Sequence, residues 1–236
     1  MENLAKVDTA TIIVKKGTNQ KINIMNNNFK FIVAIPTINR ADLLNEALER
    51  YFEDFKDTHI AICDNGKQDI ITREENFMIY RPEENLGVAK SWNMLMDYAD
   101  KIEATHVLML NDDIVLGKTE HEIAMLIRNN MDADFINSFH NWCSYILKVE
   151  AWKIAGKFDE DFFPAYFEDN SFDYKMTLSG RKKTWTSFLD PLVYRNSMTI
   201  AKDPALNNRF QQNRELYIRM WGGLPTQEKY ITKFNQ

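Results

Sequence analysis

HVLMLNDDIVL, residues 106–116, decides how the rest of the chain is read. An apolar run from Val107 to Leu110 drives into Asn111, Asp112 and Asp113, and apolar residues resume at Ile114. Uninterrupted apolar residues lack the alternation of a half-exposed strand, so the run reads as a strand covered on both faces. A solvated turn or a helix N-cap accommodates two acids, but it does not account for two acids wedged between buried runs. Buried carboxylates need a compensating partner. Asp112 and Asp113 are therefore candidate ligand-binding residues.

Working outward, the same pattern recurs. FKFIVAIP, from Phe29, is a short buried strand ended by Pro36. Leu44, Leu48, Tyr51 and Phe55 then follow at helical spacing. HIAICDNG is a second strand closed by an Asn-Gly turn, and FMIYRPEEN supplies a third. GVAKSWNMLMDYAD is a helix with Ala89, Trp92, Met96 and Ala99 on one stripe, and KTEHEIAMLIRNN is another helix. Alternating buried strands and helices predict an α/β domain built on a mostly parallel sheet. The second half is less regular. ADFINSFHNWCSYILKV has strand character, NSFDYKMTLSG is a short helix stopped at Gly180, and RKKTWTSFLD and PLVYRN read as strand material. RFQQNRELYIRMWGGLP is a helix running into a Gly-Gly loop. Ahead of all this, Thr9–Met25 reads as two β-rich runs around Gly17-Thr18-Asn19, a hairpin signal. Residues 1–28 are thus expected to be an N-terminal hairpin extension and residues 29–236 a single domain.

Bulk properties narrow the function. The 236 residues are 44% hydrophobic, enough for a sizeable core. A net charge of −5 argues against a broad phosphate-binding surface for nucleic acid. Cys63 and Cys143 form no CxxC pair or Cys/His cluster, so no structural zinc site is expected. His59, His106, His121 and His140 show no ligand spacing and read as structural. No secretory signal and no bilayer-spanning apolar segment is read, which predicts a cytoplasmic protein.

In open α/β sheets, ligands sit beyond the carboxyl ends of the strands. Four such ends here carry polar residues. They are Pro36-Thr37-Ile38-Asn39-Arg40, Asp64-Asn65-Gly66-Lys67, Glu84-Asn85-Leu86-Gly87 and Asn111-Asp112-Asp113. Neither a Walker loop nor GxGxxG is present. A bound nucleotide would need another phosphate partner, and Mg2+ or Mn2+ on Asp112 or Asp113 is the candidate. A second acidic group, Glu168, Asp169 and Asp173, lies among Phe163, Tyr166, Phe167 and Phe172. It reads either as an acidic first turn favoured by the helix dipole or as a general base whose pKa is lifted by apolar surroundings.

Taken in order, VAIPTINR, ICDNG, ENLGVAKSWN, LMLNDDI, GKFDEDFFPAYFEDNSFDYK and YIRMWGGLP resemble a family 2-type glycosyltransferase with the GT-A fold, over most of the chain from Phe29. Trp221-Gly222-Gly223 resembles the tails of small bacterial and viral sugar transferases of that group. The resemblance implies an inverting, metal-assisted hexosyl- or pentosyltransferase using a nucleotide diphosphate sugar, with UDP the expected nucleotide. Thr37 and Asn39 would lie against the nucleoside and Asp64 would accept a hydrogen bond from the base. Asn85, Gly87, Lys90 and Asn93 would line the pocket. Asp112 would approach the ribose, Asp113 would hold the metal, and Asp169, beside Glu168, would be the base. Pro36, Arg40 and Asn111 complete the expected nucleotide site.

Two positions depart from the family. Ile38 stands where an aromatic often stacks on the base, and Arg195-Asn196 stand where a metal-binding histidine is common. Arg195 reads either as a diphosphate contact or as a surface arginine. Two other functions compete: a non-catalytic nucleotide or sugar binder of the same fold, and a nucleotidyltransferase. The acceptor is open among glycan, lipid-linked sugar, protein and modified nucleic acid. Pairing of the N-terminal hairpin between subunits would give a homo-oligomer.

Overall fold

The computed structural model describes the backbone of residues 11–15, and residues 29–140, 142–195, 198 and 204–236. Ten strands are described: β1 (Thr11–Lys15), β2 (Phe31–Thr37), β3 (His59–Asp64), β4 (Phe77–Arg81), β5 (His106–Leu110), β6 (Ile114–Val115), β7 (Phe135–Asn137), β8 (Ser144–Lys148), β9 (Lys183–Trp185) and β10 (Val193–Tyr194). The α-helices are α1 (Ala41–Asp54), α2 (Gly87–Lys101), α3 (Glu120–Asn129), α4 (Val149–Ala155), α5 (Glu168–Leu178) and α6 (Phe210–Trp221). Among them no helix is long and apolar enough to cross a membrane.

Eight strands form one sheet in the order β1-β4-β3-β2-β5-β8-β7-β9. Its centre, β4-β3-β2-β5, is parallel, as the buried apolar runs predict. β8 joins β5 antiparallel and carries the sheet on to β7 and β9. At the other edge β1 pairs antiparallel with β4, with Thr11 opposite Arg81. The first run of the expected hairpin is thus an edge strand. The turn and second run lie outside the described residues.

The parallel register explains why the strand ends converge. Thr37 is paired with Asp64, so the polar residues that follow β2 and β3 leave the same edge of the sheet. β5 leaves there too, and its continuation settles how two acids come to be buried. After Leu110 the chain steps out of the main sheet at Asn111-Asp112-Asp113 and starts a two-stranded sheet, Ile114 opposite Tyr194 and Val115 opposite Val193. The buried Tyr51 hydroxyl donates to the Ile114 carbonyl at 3.2 Å and accepts from the Leu116 amide at 3.1 Å. The acids sit in a fixed link between two sheets.

Two apolar layers sandwich the main sheet. Leu44, Leu48 and Tyr51 of α1 and Ile123 and Ile127 of α3 cover one face. Ala89, Trp92 and Met96 of α2, Trp152 of α4, and Phe172 and Met176 of α5 cover the other. A third, smaller cluster joins Phe162 and Phe167 to Tyr217, Met220 and Trp221 of α6.

The irregular second half differs in detail from its sequence reading. Helix α4 occupies part of a stretch with no assigned element, and α5 starts at Glu168, ahead of the expected Asn170. The two late strand readings shrink to three residues in β9 and two in β10, separated by a single 3-10 turn at Ser187–Leu189. Gly180 follows the end of α5 with φ 66°, as a helix stop requires.

Candidate active site

At the carboxyl edge of the sheet lies a cavity of about 260 Å³. Its lining includes Pro36, Thr37 and Ile38 after β2, Asn85 and Gly87 at the start of α2, and Asn111, Asp112 and Asp113 after β5. Glu168 and Asp169, in the first turn of α5, line it as well. Sequence separations of up to 133 residues, from Pro36 to Asp169, collapse onto one opening.

The first acidic pair is well held. Asp112 Oδ2 accepts from Thr37 Oγ1 at 2.8 Å and from the Ile38 amide at 3.4 Å. Asp113 Oδ2 accepts from the Met198 amide at 3.1 Å. Both acids are buried. Hydrogen bonds of this kind favour the charged form of a buried carboxylate. The donor chemistry fits a hard divalent cation, which takes oxygen ligands and completes its shell with phosphate oxygens and water. Among the described residues no group of three or more His, Cys, Asp and Glu assembles. Among the described residues Asp112 and Asp113 are the acids on this wall that could hold such an ion.

The second pair is held differently. Glu168 is 5% exposed, and its Oε2 has no hydrogen-bond partner. Burial, aided by the charge of Asp169, pushes its carboxyl well above the usual range. Burial also raises the Asp169 carboxyl, although its Oδ1 accepts from the Asn170 amide at 2.7 Å and that bond pulls the other way. The α5 dipole favours the anions without cancelling the loss of water.

The backbone before α5 is strained. Tyr166 and Phe167 have φ of 76° and 74°, a left-handed conformation costing about 1–3 kcal/mol per residue. Surrounding structure imposes it. Asn213 of α6 donates to the Ala165 carbonyl at 2.8 Å, and the Phe167 side chain is buried among Tyr217 and its neighbours. Asn65, not expected in the site, ties the opposite wall together. Its Nδ2 donates to Ser91 Oγ at 2.9 Å and its Oδ1 accepts from the Leu86 amide at 2.8 Å. Gly87 has φ 72°, and a Cβ there would stand 2.8 Å from Phe163 Cδ2 and from the Pro164 carbonyl. Only glycine lets α2 approach the 163–166 loop so closely.

Several expected site residues lie away from the cavity lining. Arg40 is buried, with Nε and one terminal nitrogen each donating to Asp42 at 3.0 Å. The charges of Asp112 and Asp113 also help hold its pKa above the ordinary value, after the larger effect of Asp42. Asn39 has φ 54° in the turn before α1. Asp64 is fully buried and accepts four hydrogen bonds, from the Gly66 and Gln68 amides, the Gln68 side chain and Arg81. Lys90 is exposed on α2. Asn93 is buried and spans α2 to the 158–160 loop, donating to the Phe158 carbonyl and accepting from Trp152 Nε1. Arg195 donates to Glu46 of α1 at 2.5 Å. His59 and His106 are likewise remote, and burial lowers each to about 4, so both are neutral.

The residues not foreseen as ligands are Asn65, Ser91, Trp92, Trp142, Val88 and the loop residues Pro164, Ala165 and Tyr166, all of which line the cavity. Trp92 belongs to the expected buried stripe of α2, with Ala89, Met96 and Ala99. All four side chains are buried, and Trp92 also lines the cavity.

Comparison with family models and with characterised proteins finds no match. Solved structures do match. S. aureus TarS residues 1–349 in complex with UDP-GlcNAc superimposes with a TM-score of 0.55 at 17% identity, over 67% of this chain and 56% of that one. The same fragment with UDP gives 0.55 and 17%, over 67% and 58%. The mannosyltransferase PcManGT from Pyrobaculum calidifontis, in complex with GDP-Man and Mn2+, gives 0.53 at 14%, over 68% and 55%. The match spans 35% of the full S. aureus TarS chain. Identities this low speak to the fold alone. The mostly parallel mixed sheet flanked by helices is thus the fold of GT-A type glycosyltransferases, and this chain has it.

Proposed function

We propose that the chain is an inverting, metal-assisted glycosyltransferase that moves a sugar from a nucleotide diphosphate sugar, a UDP-sugar first among them, to an acceptor hydroxyl. The observation that carries this reading is one cavity lined by two unlike acidic pairs, one hydrogen-bonded through both acids and one in which a Glu168 oxygen has no partner. The neighbours solved with UDP, UDP-GlcNAc and GDP-Man with Mn2+ support the donor class.

On this reading Thr37, Asn85 and Gly87 form the nucleoside wall. Asp113, with Asp112, would hold a divalent cation at the diphosphate end; when bound, that cation would offset charge developing on the leaving diphosphate. Asp112, fixed by Thr37, is turned to the ribose. Asp169 takes the proton of the acceptor hydroxyl as it attacks the anomeric carbon from the face opposite the nucleotide. A base of raised pKa is better matched to that proton transfer near neutral pH. The buried Arg40 supplies fixed positive charge behind Asp112 and Asp113.

Calorimetric titration of the protein with UDP and Mn2+ tests the donor side. Wild type is expected to bind, and Asp113→Ala to lose about 10-fold or more in affinity, the scale of one charge-assisted contact. No binding by wild type, or equal binding by the variant, sinks the assignment.

A further inference from the structure

Trp221-Gly222-Gly223 takes no part in lining the cavity, yet it ends the helix against which the second acidic pair is held. The buried residues of α6 are Asn213, Tyr217, Met220 and Trp221, spaced i, i+4, i+7 and i+8 along one stripe. The middle of the stripe packs rings and a thioether, with Tyr217 and Met220 in one cluster with Phe162 and Phe167. Its two ends make polar contacts. At one end Asn213, 2% exposed, donates to the Ala165 carbonyl at 2.8 Å, with the Phe163 and Tyr166 carbonyls at 3.4 and 3.5 Å. At the other end Trp221 Nε1 donates to Ser171 Oγ at 2.8 Å. Ala165 precedes the left-handed pair Tyr166-Phe167, and Ser171 lies in the first turn of α5. Glu168 and Asp169 fall between these two points of attachment.

The chain beyond α6 locks Trp221. Gly222 ends the helix with φ 77°, and a Cβ there would stand 2.8 Å from Tyr230 Cε1. The Lys229 and Tyr230 amides donate to the Trp221 carbonyl at 2.9 and 3.1 Å, and the Tyr174 hydroxyl of α5 donates to the Tyr230 carbonyl at 3.0 Å. The Trp221 ring meets Tyr174 edge-on, centroids 5.0 Å apart. Filling a core would need neither an amide at 213 nor an indole N–H at 221; leucine and phenylalanine fill such space. The polar groups add direction. Left-handed backbone persists only where its surroundings over-determine it. Asn213 does so from α6, and the Val88 amide, donating to the Pro164 carbonyl at 2.8 Å, does so from α2. Asn213 and Trp221 are about 12 Å apart along α6 at 1.5 Å per residue, so one rigid helix grips the acidic turn on both sides.

Resting on the transferase reading above, we propose that α6 is a brace for the general base. Asn213 and Trp221 are positioning residues. Neither lines the cavity, and together they set where the turn bearing Asp169 faces Asp112 and Asp113.

The test uses the full chain with Asn213→Leu and Trp221→Phe, each alone and each combined with Glu168→Gln. Glu168, beside Asp169 on the same turn, is the reporter. Burial raises its carboxyl, so Glu168→Gln melts above its parent at high pH and the gap closes towards pH 4. The titratable groups facing the pair are Asp173 of α5, Tyr166 of the loop, Tyr145 of β8 and Tyr217 of α6, and every variant keeps all four. The gap is measured from pH 4 to pH 9 in wild type and in each α6 variant, beside UDP affinity with Mn2+ by calorimetry. Releasing the turn lets Glu168 reach water. Asn213→Leu should therefore cut the gap by half or more and Trp221→Phe should cut it less, with UDP affinity within about 2-fold of wild type. A merely structural role lowers both melting curves of each pair equally and leaves the gap intact, which overturns the brace. A wild type with no gap overturns it too, as does loss of UDP binding in the α6 variants, since α6 would then hold the whole cavity and not this turn. If Asn213→Leu fails to fold, Trp221→Phe decides: a reduced gap supports the brace and an intact one overturns it. A wild type that shows the gap but binds no UDP overturns the transferase reading and the base role with it, while the hold of α6 on the turn stands.

Discussion

The two acidic pairs of the cavity make the informative comparison. Asp112 and Asp113 lie in a link pinned between two sheets, and their oxygens receive Thr37 and backbone amides. Glu168 and Asp169 lie on a helix start reached through two strained residues, and one Glu168 oxygen receives nothing. Protein donors already occupy an oxygen of each acid in the first pair. Apolar surroundings give the second pair an appetite for protons. A fixed anion suits holding a cation. A carboxylate that gains by protonation suits taking a proton from a substrate. On the proposed reading one chemical group would serve two roles because its surroundings differ.

The largest effect should come from breaking the second pair. Asp169→Asn keeps shape and removes basicity, so transfer should fall about 10²–10⁴-fold, the usual worth of a general base. UDP affinity should stay within about 2-fold, since the loss falls on the transition state and not on nucleotide binding. Single-turnover assays beside calorimetry separate the two. Near-normal turnover in this variant would remove Asp169 from the chemistry.

The join between the two walls comes next. Gly87 brings α2 against Phe163 and Pro164, and the Val88 amide donates to the Pro164 carbonyl at 2.8 Å. Gly87→Ala places a Cβ against that loop at a positive φ and should cost about 1–3 kcal/mol. Because the loop leads directly into α5, the variant should also weaken transfer more than it weakens UDP binding. Chemical denaturation and the same two binding and turnover assays check this. A fully stable Gly87→Ala protein would mean that the loop yields freely and does not fix α5.

How much of this was readable from residue order depends on which wall is considered. The first wall follows from strand ends. Once β2, β3 and β5 are parallel, Thr37, Asp64 and Asp112 must leave one edge, and a period-free apolar run announces each strand. What the pattern does not carry is which way each polar side chain turns. Asp64 is turned to Arg81 and the 66–68 turn, and Asn93 to Trp152 and Phe158, because local amides and an arginine were nearer than the cavity. The second wall depends on long-range packing. Asn213 and Trp221 lie in a stretch whose pattern announces only a helix running into a Gly-Gly loop. Which groups they grip is a property of the assembled fold. Asn65 was visible as the middle of an Asp-Asn-Gly turn, yet its grip on Ser91 and Leu86 needs α2 in place.

A smaller effect sharpens the comparison through pH. Folded-state pKa values of Glu168 and Asp169 are raised by burial. Stability linked to them is therefore complete below the unfolded carboxylate values, about 4, and is lost as pH rises through the higher folded values. Glu168→Gln removes one such group. Its melting temperature should exceed that of wild type by about 2–4 °C above the folded value, roughly 1 kcal/mol for a chain of this size, and the gap should close towards pH 4. Melting curves from pH 4 to pH 9 decide it. A gap independent of pH would mean that Glu168 is no more protonated in the fold than out of it.

The smallest effect is expected behind the second wall. Asp159 is buried and receives Lys175, Ser171 and Lys233, and Trp221 donates to the same Ser171 at 2.8 Å, tying α6 to α5. Burial pushes the Asp159 carboxyl up, but the two lysines and the serine hold it below the usual range. The lysines are not equivalent. Lys175 is buried on α5 and also donates to the Gly156 carbonyl at 2.7 Å, so Lys175→Met strands a buried anion and should cost about 3–5 kcal/mol. The Lys233 side chain is 40% exposed, and water screens its pair more than that of Lys175. Lys233→Met should cost no more than about 1 kcal/mol and shift the melting temperature by at most a few degrees. Equal losses in the two variants would show that Lys233 holds Asp159 charged as firmly as Lys175 does.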